Sequence, residues 1–303
     1  MVDLKVDFAG MPLRNPVLLA SGTCGYGEEL APLIDLGRLG GLVSKTITPE
    51  PRAGNPPPRV VETASGMLNS IGLQNPGLEG FVDDKWPGLS RLDTQVVVNI
   101  AAPTAEGHGE MAARLDGLDG IAALEVNISS PNMKDGGMLF GCRPDASAAV
   151  IDAVKRATRL PVIAKLTPNV TDIAEIARAV EGAGADGIAM INTLLGMAVD
   201  LERRRPFLGN ITGGLSGPAI KPVALALLWK VRQAVQIPLM GMGGIASARD
   251  ALEFMVAGAT AVQVGTSTFV QPSAGPDIVA GIEAYCTAHG IDSVASLTGS
   301  LET

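Results

Sequence analysis

Eight short apolar runs recur along this chain: PVLLASG (16–22), GLVSKT (41–46), QVVVNI (95–100), ALEVNIS (123–129), PVIAKL (161–166), GIAMIN (187–192), IPLMGMGG (237–244) and AVQVGT (261–266). Each has strand length and is continuously apolar rather than alternating, the pattern of strands buried on both faces in a helix-covered parallel sheet. Between most of them the apolar positions switch to helical spacing, as in TDIAEIARAVEGAGA (171–185), PAIKPVALALLWKVRQAV (218–235) and SARDALEFMVAGA (247–259). Thr171 and Ser247 stand at the N-cap positions, and Gly184 and Gly258 at the helix exits. Eight such units predict an α/β fold, a closed (β/α)8 TIM barrel rather than an open doubly wound sheet. The leading KVDFAGMPLRN (5–15) reads as an N-terminal β-hairpin capping the bottom, and residues 1–303 as one domain.

Hydrophobic residues make up 47% of the chain and aromatics only 3%, with 37 glycines, so the core must be built from small aliphatic side chains. Acidic residues outnumber basic ones, 31 to 23, which argues against nucleic acid and against electrostatic docking on an anionic membrane. MVDLKVDFAGMPLRN lacks an apolar signal core, and no run of about 18 apolar residues follows, so a cytoplasmic location is expected. Cys24, Cys142 and Cys286 are too few to hold an iron–sulfur cluster on four thiolates. Cys24 and Cys142 read as packing residues, and Cys286 lies on a late helix. No His, Cys, Asp and Glu spacing suits a metal, and none is expected. His108, in AEGHGE, reads as a solvated loop histidine.

The polar residues fall at the strand ends: Ser21, Lys45, Asn99, Asn127 with Ser129, Lys165, Asn192 with Thr193, Gly243 with Gly244, and Gly265 with Thr266. The C-terminal strand ends of a barrel converge on the rim where active sites are built. A lone glycine there is ordinary turn geometry, and a lone lysine can snorkel to solvent. Small residues ending the last two strands suggest a phosphate held by backbone N–H groups at Gly243, Gly244, Gly265 and Thr266. GMGG is not a full GxGxxG, so a dinucleotide fold is unsupported. Two lysines facing asparagines suit a planar heterocycle with alternating N–H and C=O groups, and a flavin ring and a pyrimidine both fit.

SGTCGYG (21–27), SKT (44–46), ETASGMLNSIGLQNPG (62–77), VNISSPN (126–132), KLTPNVTDI (165–173), INTLLGMAVD (191–200), TGGLSGPAIKP (212–222), MGGI (242–245) and ALEFMVAGATAVQVGT (251–266) resemble the dihydroorotate dehydrogenases, in order through nearly the whole chain. SGMLNSIGLQNPG and TGGLSGPAIKP resemble the catalytic subunit of the soluble, NAD-linked two-subunit branch in particular. The resemblance implies an FMN enzyme that oxidises (S)-dihydroorotate to orotate in pyrimidine synthesis. It assigns the flavin to Ser21, Lys45, Thr46, Asn99, Asn127, Lys165, Ile191, Gly217, Gly243, Gly244, Gly265 and Thr266. It assigns the substrate to Lys45, Asn69, Ser70, Ile71, Gly72, Leu73, Asn127, Asn132, Asn192 and Thr193. Lys165 would also act catalytically, holding charge that develops on the flavin.

The resemblance places the catalytic base at Ser130, within NISSPN. Soluble branches normally carry cysteine there, and serine marks the membrane-bound, quinone-linked branch. A thiol ionises near about 8.5, whereas an alcohol needs an acceptor or water relay beside it. Electrons would leave to NAD through a partner chain carrying FAD and an iron–sulfur cluster, or to fumarate without one, and a homodimer is implied. Two alternatives stand beside this reading. One is a dihydropyrimidine dehydrogenase-like flavin reductase, although those modules sit in much longer chains with cluster cysteines. The other is a non-catalytic FMN-binding barrel.

Overall fold

The computed structural model describes residues 2–129 and 140–303. The chain enters through a hairpin, β1 (Val6–Phe8) and β2 (Met11–Leu13), in which Val6 pairs with Leu13 and Phe8 with Met11. Alternate residues point inward, so Val6, Phe8, Met11 and Leu13 are buried while Asp7 and Pro12 are exposed. Phe8 seals the bottom of the barrel: a Cβ on Gly187 would lie 2.8 Å from its ring.

The wall begins with β3 (Val17–Leu19) and β4 (Gly41–Val43). After a hairpin outside the wall, β5 (Val60–Thr63) and β6 (Gly66–Asn69), it resumes with β7 (Gln95–Ile100), β8 (Ile121–Asn127), β9 (Val162–Lys165) and β10 (Gly187–Met190). A second excursion carries β11 (Leu194–Met197), β12 (Val199–Asp200), β13 (Arg205–Pro206) and β14 (Thr212–Ser216), and β15 (Leu239–Met242) and β16 (Ala259–Val264) complete the wall. The order β3-β4-β7-β8-β9-β10-β15-β16 closes on itself, every pairing is parallel, and each sequence-predicted run overlaps one wall strand, although β8 and β16 each begin two residues before their runs.

The helices are α1 (Gly77–Gly80), α2 (Trp86–Leu89), α3 (Ala105–Asp116), α4 (Pro144–Ala157), α5 (Ile173–Gly182), α6 (Lys221–Arg232), α7 (Ala248–Val256), α8 (Ser267–Val270) and α9 (Ala274–Ala288). Ser247 caps α7 by accepting from the Asp250 N–H, and Gly184 and Gly258 leave their helices with φ of +92° and +127°. The cap of α5 is Asp172 and not Thr171. Asp172 is the extended residue directly before the first helical turn, and its carboxylate accepts from the Ala174 N–H and pairs with Lys230.

The two excursions meet in an antiparallel sheet of order β11-β14-β6-β5 that the strand-by-strand reading did not resolve. It is moored to the rim, since a Cβ on Gly214 in β14 would lie 2.0 Å from the Thr193 hydroxyl just past β10. Among the described residues no helix is long and apolar enough to cross a membrane.

Candidate active site

Parallel strands carry every wall side chain with the same polarity, so residues at their C-terminal ends gather at one mouth. Inside that mouth the deepest polar layer centres on a residue the sequence reading passed over. Glu125 of β8 is fully buried. Its Oε1 accepts from Lys165 Nζ at 3.0 Å and from Asn99 Nδ2 at 2.5 Å, and its Oε2 accepts from Gln263 Nε2 at 2.6 Å. A carboxylate has only acceptors, so it fixes the orientation of both amides. The far oxygens, Asn99 Oδ1 and Gln263 Oε1, are buried and have no donor among the described residues. The signal was available in the sequence: a lone Glu inside ALEVNIS, two residues from Asn127 and so on the same strand face, requires a buried partner.

Lys45 ends β4 under different conditions. No acidic partner reaches its ammonium among the described residues. Burial, and then the charge of Lys165, lowers its pKa to about 8. Beside it, Thr46 Oγ1 lies 3.5 Å from Ser21 Oγ. Cys24 donates its thiol to the Ala20 and Val43 carbonyls, and burial pushes its pKa up to about 12, which makes it a packing residue as expected.

A second chain of bonds links the ends of β8 and β10. Asn127 Oδ1 accepts from the backbone and hydroxyl of Ser129, and Ser129 Oγ accepts in turn from Asn192 Nδ2 at 2.6 Å. Asn192 Oδ1 then takes the Thr193 N–H. Ser129 is therefore committed to orienting two asparagines. Ser130 and Asn132 lie outside the described residues.

On the opposite side the rim is made of backbone. Gly244 has φ of +80°, and a Cβ there would lie 2.8 Å from the Lys221 N and 2.9 Å from the Gly217 O. Gly217 (φ +94°), Gly243 (φ +121°) and the Ile191 side chain sit against the same turn. Thr266 bonds Ser216 at 2.8 Å, just after Gly265 and before the single-turn α8.

The substrate-side residues on β6 and beyond are less uniform. Asn69 Nδ2 donates to the Gly214 O across the excursion sheet. The Ser70 hydroxyl and the Ile71 carbonyl both accept from Asn55, against which Gly72 packs, and Leu73 takes a left-handed φ of +55°. Ser70 thus spends its hydroxyl on an internal bond.

The structure departs from two further expectations, one for a histidine and one for a cysteine. His108 is not solvated: it is 1% exposed within α3. Its Nε2 accepts from the Ala102 N–H and its Nδ1 donates to the Thr104 O, a neutral tautomer that burial protects by lowering the pKa to about 4. The reason is that AEGHGE forms the first turns of a helix and His108 falls on its inner face. Cys142 is not the packing residue expected: it is exposed on the short turn before α4, with its thiol toward the Asn169 carbonyl. Among the described residues no group of three or more His, Cys, Asp and Glu gathers as a metal site.

The family model for dihydroorotate dehydrogenase matches residues 3–285. The chain is 58% identical over 299 residues to the protein named dihydroorotate dehydrogenase B (NAD(+)), catalytic subunit, from Desulforamulus reducens, covering 99% of this chain and 98% of that one. It is 56% identical over 300 residues to the protein of the same name from Citrifermentans bemidjiense, with coverage of 99% and 98%. A crystal structure of DHODH from Eimeria tenella in complex with ferulenol matches with a TM-score of 0.82 at 25% identity, covering 98% of this chain and 88% of that one. The barrel, its polar rim and these full-length likenesses establish that the chain belongs to the dihydroorotate dehydrogenase family.

Proposed function

We propose that this chain is the catalytic subunit of an enzyme that oxidises dihydroorotate to orotate in pyrimidine synthesis, using FMN and delivering electrons to NAD through a partner subunit. The observation that carries the reading is the full-length likeness to catalytic subunits of dihydroorotate dehydrogenase B, whose name supplies substrate, acceptor and the need for a partner. The residues present fit a flavin. The buried Asn99 Oδ1, which has no donor among the described residues, is an acceptor that an N–H of the flavin ring would satisfy.

When bound, FMN supplies a two-electron acceptor for a hydride. Gly217, Gly243, Gly244, Gly265 and Thr266 are assigned to its phosphate, with Ile191 beside them. Ser21, Thr46, Asn99, Asn127 and Lys165 are assigned to the ring system, where Lys165 holds a cation. Lys45 offers an ammonium with no carboxylate partner among the described residues, which suits the substrate's own carboxylate. Asn127 and Asn192, locked by Ser129, present one donor or acceptor each toward a pyrimidine ring, with Thr193, Asn69 to Leu73 and Asn132 completing the set. Ser130 is proposed to take the C5 proton.

The partner is proposed to carry FAD and an iron–sulfur cluster, and a second copy of this chain to complete a homodimer. The exposed Leu195, Met197, Val199 and Leu201 of the second excursion supply apolar surface for such contacts. The test is anaerobic. Wild type, Ser130→Ala and Ser130→Cys are mixed with dihydroorotate across pH and flavin bleaching is followed. The reading expects bleaching in wild type and its loss in Ser130→Ala. Bleaching only in Ser130→Cys would mean a flavin barrel whose native base is lost.

A further inference from the structure

Lys165 sits at 4% exposure with a single carboxylate within reach among the described residues, and that carboxylate is more deeply buried than the lysine itself. Glu125 touches neither the rim surface nor solvent; its contacts are with Lys165, Asn99 and Gln263. Two of those partners are residues assigned above to the flavin ring, and a buried pair of this kind costs desolvation that a hydrophobic pair would not. Its retention at the base of a site is explained if the pair sets a charge where chemistry needs one.

We propose that Glu125 is a positioning residue that holds Lys165 as a cation, and Asn99 with its carbonyl oxygen outward, at the pyrimidine edge of the flavin, so that it tunes the flavin's reduction potential without touching it. The inference rests on the flavin reading above. The charged or titratable groups facing Lys165 are Glu125 from β8, Lys45 from the end of β4 and the neutral thiol of Cys24 from the loop after β3. Among these only Glu125 is acidic. With its charge removed, Lys165 would share a buried space with a second ammonium, and no carboxylate would hold its own ammonium at the flavin edge.

Glu125→Gln isolates the charge because the hydrogen bonds can survive it. The new amide oxygen replaces Oε1 toward Asn99 and Lys165. Its NH2 faces Gln263, whose idle Oε1 becomes the acceptor once that amide turns over. Midpoint potentials of the bound flavin are measured from pH 6 to 9 in wild type, Glu125→Gln, Glu125→Asp, Lys165→Met and the double variant Lys165→Met/Glu125→Gln.

The expected result is a tenfold less favourable two-electron reduction in Glu125→Gln, a fall of about 30 mV. Glu125→Asp should recover at least half of it, and Glu125→Gln should add nothing in the Lys165→Met background. An unchanged potential at every pH, or the same fall in the Lys165→Met background, would overturn the inference. If Glu125→Gln releases flavin, thermal melting of the apoproteins decides instead. Lys165→Met strands a buried carboxylate and should melt below the double variant, and equal melting would overturn the pairing. A wild-type chain that holds no flavin would sink the flavin reading itself, while the melting comparison would still judge the pair.

Discussion

Two lysines end barrel strands at the same mouth, and they differ in one respect. Lys165 at the end of β9 has a buried carboxylate 3.0 Å away, whereas Lys45, two residues past β4, has none among the described residues and is pushed down to about 8. Two lysines at one mouth therefore meet opposite electrostatics, decided by which neighbouring strand carries an acid. The paired lysine is a fixed part of the protein. The unpaired one is stored charge that a ligand anion can relieve.

The sharpest way to break that comparison is to remove the paired member. Lys165→Met should cost about 3–5 kcal/mol in urea unfolding, since it leaves the Glu125 carboxylate buried and unpaired. A loss near zero would mean that the carboxylate finds relief elsewhere. Removing the other member should behave in reverse. Between about 8 and 10.5 the unfolded chain binds the Lys45 proton and the folded chain does not, so stability rises with pH across that window. Lys45→Met should abolish this rise, gaining on the order of 2 kcal/mol below pH 8 after discounting for partial exposure. Unfolding midpoints taken at pH 7 through 10 would reveal it, and a rise retained in the variant would assign it to another group.

A contrast between side-chain and backbone recognition gives a smaller effect. Gly244→Ala forces a Cβ against the Lys221 N at a φ of +80°, and should cost about 1–2 kcal/mol and weaken flavin retention on gel filtration. Far from the mouth, Ser247→Ala should lose the cap bond from the Asp250 N–H and the hydroxyl's bond to the Asp250 carboxylate, about 1 kcal/mol by the same unfolding assay, with flavin retention untouched.

Most of the barrel was legible because its wall is made of continuous apolar runs, whose length and spacing need no long-range information. The excursion sheet was not. β6 and β14 are short and glycine-bearing, GMLN and TGGLS, and Asn69 meets Gly214 across 145 residues of chain. Such strands are defined by each other rather than by their own sequence. The site divided in the same way. Strand-end lysines, asparagines and glycines could be named from position alone, because topology collects them. Glu125 and Gln263 were passed over: a lone Glu in a buried strand signals that a partner exists, but nothing local says which residues supply it. His108 failed for a related reason: AEGHGE reads as loop by composition, yet Thr104 caps it into a helix that turns the imidazole inward. The base assigned by resemblance, Ser130, lies outside the described residues.

The most direct measurement of the account's central claim is a single anaerobic turnover: protein with its bound flavin, one equivalent of dihydroorotate, and simultaneous records of flavin absorbance and orotate formed. The account predicts one orotate per flavin bleached in wild type and little of either in Lys165→Met. Bound flavin that stays oxidised in excess dihydroorotate, with no orotate appearing, would contradict it.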